Sequence, residues 1–242
     1  INVGSTQTLA VKSAIHTQLV FDDPMRFQRS YWMNQVDFSS SAEPSYKSSN
    51  HEFLKAVDVS AKSSARRIRK AWSDYETNVD YGIVPMDLPK VASCIDAGLE
   101  TQLYHVSFRN NAFDTHVQQP NLHRRLLSYA SDAIFGFVND LKRLGHADRV
   151  VVMVYSEFGR RVPENANLGT DHGSANNMFF IGNRVNGGHY GVLPSLVNLI
   201  DSGNLAFTTD FRQVYATAIE DWLKADSKKV LKGIFERFPI FA

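Results

Sequence analysis

From Leu122 to Leu141 the apolar residues Leu122, Leu126, Ala130, Ile134, Phe137 and Leu141 recur on one stripe at helical spacing, and Gly145 closes the run. The spacing predicts a helix over Asn121–Leu144. Directly after it comes Arg149–Tyr155 (Arg-Val-Val-Val-Met-Val-Tyr), an apolar run without alternation. A strand buried on both faces of a mostly parallel sheet reads this way. On the other side of the helix, Gln102–Phe108 is rich in β formers and reads as a strand. Strand, long helix, strand is a βαβ unit, whose crossover should be right-handed. The expected fold class is α/β, with a mostly parallel sheet flanked by helices.

The remaining elements follow from the same periodicities. Residues 51–77 predict a long helix with Ile68 and Trp72 on its apolar side and Lys62, Arg66, Arg67, Arg69 and Lys70 on the other, a solvated face. Leu88–Leu99 and Arg212–Lys224 predict further helices, and Met178–Ile181 a short strand. Residues 1–50 mix polar runs with scattered aromatics and read as an irregular, surface-wrapping segment. Residues 51–242 read as part of one α/β domain.

Composition narrows the class of function. A chain of 242 residues, 43% hydrophobic and 21% charged, can bury a real core and is not of disordered type. Its 26 basic and 25 acidic residues give no reason to expect nucleic acid as a partner. No apolar stretch approaches the roughly 20 residues that cross a bilayer. The single cysteine, Cys94, sits in the amphipathic run Val91, Ala92, Ile95, Leu99, so it reads as a buried structural thiol.

In open parallel sheets, ligands bind beyond the carboxyl ends of the strands. Two polar clusters fall there: Asn110 to Gln119, containing Asp114 and His116, and Ser156 to Arg161, containing Glu157 and Arg160. A long loop then brings Gly169-Thr170-Asp171-His172-Gly173. Carboxylates and imidazoles in such loops suit a divalent metal. The candidate ligands are Asp114, His116, Asp171 and His172, with Glu157 a conditional further one. Alternatives stay open for single residues: Asp114 as a turn cap, His116 as a helix-start packing residue. Arg160 and Arg161 have two readings: one of them serves as an anion-binding fork for phosphate or sulfate, or they form an internal ion pair with Glu157 or Glu164. His105 reads as a core histidine within a strand, and His123 as a residue of the helix opening, with a role at the site the less favoured reading. No Gly-x-Ser-x-Gly elbow supports a serine-hydrolase triad.

Phe-Asp-Thr-His at 113–116, Val-Tyr-Ser-Glu-Phe-Gly-Arg-Arg at 154–161, Glu164-Asn165, Gly-Thr-Asp-His-Gly at 169–173, Gly187-Gly188 and Asp210-Phe211-Arg212 occur in that order. The series resembles the bacterial domain of unknown function family 1501, placed within the alkaline phosphatase and sulfatase superfamily. The resemblance runs from about residue 85 to the end of the chain. It implies an alkaline-phosphatase-like α/β fold and one or two divalent metals (zinc, calcium, magnesium or manganese) held by Asp and His. It also implies hydrolysis of an anionic small-molecule or polymer ester, and export to the periplasm or beyond through a twin-arginine signal. Where sulfatases carry Ser-Asp-His-Gly, this chain reads Ser156-Glu157-Phe158-Gly159, and Phe158 cannot ligate. The family's opening Gly-Gly-Asn-Asp-Gly-type strand loop and its Ser-His-Phe segment are not found. The expectation is therefore a C-terminal portion whose partner is the N-terminal part of the same protein. A non-catalytic binding or assembly protein on a degenerate hydrolase fold is the alternative.

Overall fold

The computed structural model describes residues 1–12, 19–26, 49–108 and 111–242. They divide into two compact units, Ile1–Ser107 and Phe108–Ala242. The class is α/β: short strands, a small parallel sheet, and long helices.

The first unit is built on a three-stranded parallel sheet in which β1 (Asn2–Val3) lies between β2 (Val20–Phe21) and β3 (His105–Val106). Val3 pairs with Phe21 on one side and Val106 on the other. Ile1 N donates to the Leu103 carbonyl at 2.7 Å and His105 N to the Ile1 carbonyl at 2.9 Å, which extends the β1–β3 pairing by one residue. Two stretches expected to be irregular are therefore strands. Each is two residues long, too short to show alternation, and only pairing within the sheet, β2 to β1 and β1 to β3, defines them. A 3-10 turn spans Leu9–Val11, and residues 13–18 and 27–48 of the 1–50 segment lie outside the described residues.

Two helices complete this unit. Ser49–Asp74 forms α1 and Leu88–Asp96 forms α2, which pack on each other. Ile68 and Ala71 of α1 are buried, as are Val91, Ala92, Cys94 and Ile95 of α2, while Lys62, Arg66, Arg67 and Lys70 are exposed. The basic run is a solvated face, with Lys70 paired to Asp74 at 2.6 Å one turn on. Cys94 is 1% exposed, and burial pushes its thiol up to about 11. His105 is half-buried, with Nδ1 3.1 Å from Asn2 Oδ1, and burial holds its pKa below the ordinary imidazole value.

In the second unit, Gln119–Arg143 forms α3, with Pro120 in its first turn. Leu126, Ala133, Phe137 and Leu141 are its buried stripe. The helix ends as its glycine requires: Gly145 takes φ +77°, His146 N donates to Leu141 O at 2.7 Å, and Gly145 N donates to Lys142 O at 3.1 Å. This pair of bonds satisfies the last orphan carbonyls. A 3-10 turn (Ala147–Arg149) leads into β4 (Val152–Val154).

β4 corrects the sequence reading. It pairs antiparallel with β7 (Phe179–Ile181), and its three residues are half-buried rather than enclosed on both faces. β3 pairs with β1, so β3, α3 and β4 do not form the expected βαβ unit. A short apolar run between turn signals carries no information on the direction of its neighbour. The sheet is accordingly not mostly parallel throughout: the described residues add two antiparallel pairs, β4–β7 and β5–β6, with β5 at Gly159–Arg160 and β6 at His172–Gly173.

The expected helix over 212–224 is split. Phe211–Thr217 forms α4, and Ala218–Trp222 widens into a π turn. A last short helix, α5, spans Ser227–Leu231. Among the described residues no helix is long and apolar enough to cross a membrane.

Candidate metal centre

Two loops and one strand pair build the site. The 113–118 loop precedes α3, and the 161–171 loop joins β5 to β6. They are joined along their backbones: Gln118 N donates to Asn167 O and Gln119 N to Leu168 O, both at 2.9 Å. Gln118 and Leu168 both take left-handed backbone angles (φ +44° and +58°), a conformation that costs a non-glycine residue roughly 1–2 kcal/mol. The inter-loop bonds offset that strain. Below them, Gln119 donates to Thr115 Oγ1 at 2.9 Å and accepts from Thr170 Oγ1 at 3.0 Å. Gly169 lies so close to the His116 carbonyl that a Cβ there would overlap it. Gly159 and Gly173, directly opposite in the β5–β6 register, are packed as tightly by backbone.

The same register sets Arg160 across from His172. Its guanidinium donates to Thr170 O at 2.6 Å, Phe113 O at 2.7 Å and Asp114 Oδ1 at 3.2 Å. Three of its five N–H groups are thus committed inside the protein. The sequence left anion binding and an internal ion pair both open for Arg160. The structure gives it an ion pair, but with Asp114 and not with a glutamate.

Three donor atoms converge. Asp114 Oδ1 lies 2.7 Å from His172 Nε2 and 2.9 Å from His116 Nε2, and the two nitrogens are 3.1 Å apart. No pair of neutral tautomers satisfies all three edges of this triangle. Either two N–H groups crowd each other or a nitrogen lone pair faces the carboxylate. A cation among the three atoms removes the conflict. Ligands about 2.1 Å from a common ion stand roughly 3 to 3.4 Å apart, close to the spacing found. Asp114, His116 and His172 are thus a possible metal-binding group, and its donor chemistry fits a divalent ion.

The surroundings hold each donor differently. Asp171 Oδ1 stands 3.5 Å from His116 Nδ1, behind the ring as seen from the triangle. Phe158 lies flat against His172 with centroids 3.7 Å apart and planes 11° from parallel, and the Arg160 guanidinium sits 5.0 Å from the Phe158 centroid. The hydrogen bond from His172, then the charges of both histidines and Arg160, hold the Asp114 carboxyl below its usual range. The Asp171 carboxyl is also held low, first by the hydrogen bond from Asn165.

Of the sequence candidates, the structure brings Asp114, His116, His172, Asp171 and Arg160 together. It does not bring Glu157 to the three donors; this residue is exposed in the bend after β4. His123 meets the site through Phe113, edge-on at 5.6 Å, and burial, then the charge of Arg160, hold its pKa below the ordinary imidazole value. Sequence reasoning placed Asn165 in the motif series but gave it no role. Its Nδ2 donates to His116 O at 3.1 Å and Asp171 Oδ1 at 3.2 Å, and its Oδ1 accepts from Asn167 N and Gly169 N at 2.9 and 3.1 Å. The spacing Asn165-x-x-x-Gly169 carried a turn signal for it.

No curated protein and no solved structure matches this chain. The family described as "Protein of unknown function (DUF1501)" matches residues 25–235 and so covers both loops of the site. With most of its length inside that match, the chain belongs to the DUF1501 family.

Proposed function

We propose that this protein is a metal-dependent hydrolase of phosphate or sulfate esters, exported to the periplasm or beyond, on an alkaline-phosphatase-like α/β fold. One observation carries the reading: the convergence of Asp114 Oδ1, His116 Nε2 and His172 Nε2 within 3.1 Å of one another on loops that face solvent. Those three residues would hold the ion. When bound, a divalent ion supplies Lewis acidity toward an ester oxygen. Arg160 fixes the Asp114 carboxylate, and two of its N–H groups carry none of the bonds described, which leaves capacity for an anionic group. Asp171 holds His116 from behind. The ester class and the exported location rest on the resemblance of the ordered motifs.

The test is elemental analysis of the purified protein together with hydrolysis of 4-nitrophenyl phosphate and 4-nitrophenyl sulfate, before and after chelator treatment. The expected result is about one divalent ion per chain and a turnover that chelation removes and metal restores. Protein with no bound metal and no turnover on either ester would overturn the proposal.

A second reading has its own observation. Phe158 covers one face of His172, where a sulfatase-like motif would place a further histidine. That favours a binding or assembly protein that keeps a metal centre without catalysis. Bound metal without turnover supports it, and a hydrolysis abolished by His172→Ala excludes it.

A further inference from the structure

The sequence offers Asp171 and His172 as neighbouring ligands, yet the structure gives the two side chains different tasks. His172 turns its Nε2 into the triangle, 2.7 Å from Asp114. Asp171 reaches the far side of His116, 3.5 Å from Nδ1, while His116 Nε2 faces Asp114 at 2.9 Å. A carboxylate accepts hydrogen bonds and cannot donate them. Its place beside Nδ1 therefore favours the tautomer with the proton on Nδ1. The lone pair of His116 is then on Nε2, pointing at the triangle, as a ligand must present it.

We infer that Asp171, held by Asn165, is the positioning residue of this centre: it keeps the His116 proton on Nδ1 and is not itself a ligand. This deepens the metal reading and rests on it. Asn165 makes the placement specific. One amide group of its side chain grips both the His116 carbonyl and Asp171 Oδ1, and its oxygen takes the amides of Asn167 and Gly169. Asn165 N also donates to Gly169 O at 2.8 Å. The Asp171 side chain is 53% exposed, so its charge alone is screened. The amide clamp, not field strength, sets where the carboxylate points. Gly169 has no room for a side chain against the His116 carbonyl, which keeps the clamp and the imidazole in one register.

The two histidines are thus oriented by unlike means. His116 has a carboxylate on its outer nitrogen, and His172 has an aromatic face flat on its ring. Loss of Asp171 should act on His116 alone.

The experiment uses the whole chain, wild type and Asp171→Ala, with Asp171→Asn as the conservative variant that keeps an acceptor and the side-chain shape. Long-range ¹H–¹⁵N correlation on metal-free protein reads the His116 tautomer, with the resonance assigned by its loss in His116→Gln. Competition against a chelating dye reads the Zn²⁺ dissociation constant, and Co²⁺ absorption reads the ligand set. Wild type should carry the proton on Nδ1. Asp171→Ala should move it toward Nε2 and weaken Zn²⁺ binding 10- to 100-fold, with an unchanged Co²⁺ spectrum. Asp171→Asn should fall between, and it decides the matter if the alanine variant does not fold. An unchanged tautomer in both variants overturns the inference, as does a Co²⁺ spectrum that shows a lost ligand. Wild-type protein that takes up neither Zn²⁺ nor Co²⁺ sinks the metal reading instead, and the metal-free tautomer still decides what Asp171 does.

Discussion

Phe158 lies flat on the imidazole of His172, 3.7 Å between centroids and 11° from parallel. The contact fixes the plane in which His172 presents Nε2, and the same Phe158 ring receives the Arg160 guanidinium at 5.0 Å. Exchanging one packed apolar side chain for another of similar size costs up to about 1.5 kcal/mol. Phe158→Leu should therefore lower the unfolding free energy by about that amount and weaken Zn²⁺ binding through the freed His172. Urea denaturation and dye competition read the two effects. A variant with wild-type midpoint and affinity would show that the stack does neither.

Gly169 is a steric requirement. A Cβ there would overlap the carbonyl of His116. Gly169→Ala should cost about 1–3 kcal/mol, the range for forcing extra volume into a packed place. It should also displace His116 from Asp114, so Zn²⁺ affinity falls together with the urea midpoint. Gly187, with open space where its Cβ would stand, serves as the control: Gly187→Ala should leave both unchanged.

Asp210 caps α4, accepting from Arg212 N at 2.9 Å, and its carboxylate also pairs with the Arg212 guanidinium at 2.6 Å. These hydrogen bonds hold its carboxyl below the usual range. A folded-state pKa below the unfolded one means that the unfolded chain binds the proton more readily. The contribution to stability is then fully present above the unfolded value of about 3.9 and lost as pH falls through the lower folded value. Asp210→Asn should reduce the urea midpoint at pH 6, and the difference from wild type should shrink steadily below about pH 4. A difference that stays constant down to pH 2 would contradict this origin.

Cys94 is buried in α2 with its thiol pushed up to about 11. The thiolate is the reactive form. In native protein at pH 8, Cys94 should resist Ellman's reagent, and it should react within the mixing time in 6 M guanidinium. Rapid labelling of the folded protein would place the thiol nearer solvent than α2 puts it.

What was legible in the sequence was local. The α3 stripe and Gly145 specify a helix and its end, because side-chain period and a left-handed C-terminal residue are properties of neighbouring positions. Phe179–Ile181 falls within the strand expected at Met178–Ile181, and Cys94 was readable as buried from its amphipathic run. Asp114, His116, Asp171 and His172 stood out because carboxylates and imidazoles fell together in polar loops, with glycines flanking Asp171 and His172.

Tertiary structure decided the partners. An apolar run such as Val152–Val154 does not encode the direction of its neighbour, and only pairing with Phe179–Ile181 made it antiparallel. Asn2–Val3 became a strand through His105–Val106, more than a hundred residues away in sequence. The site followed the same rule. Whether Asp171 meets the triangle or the back of His116, and whether Arg160 faces substrate or Asp114, depends on side-chain direction. The β5–β6 register and the joined loops set that direction. Residue type fixes which chemistry a side chain can do, and long-range contacts fix which atom it does it to.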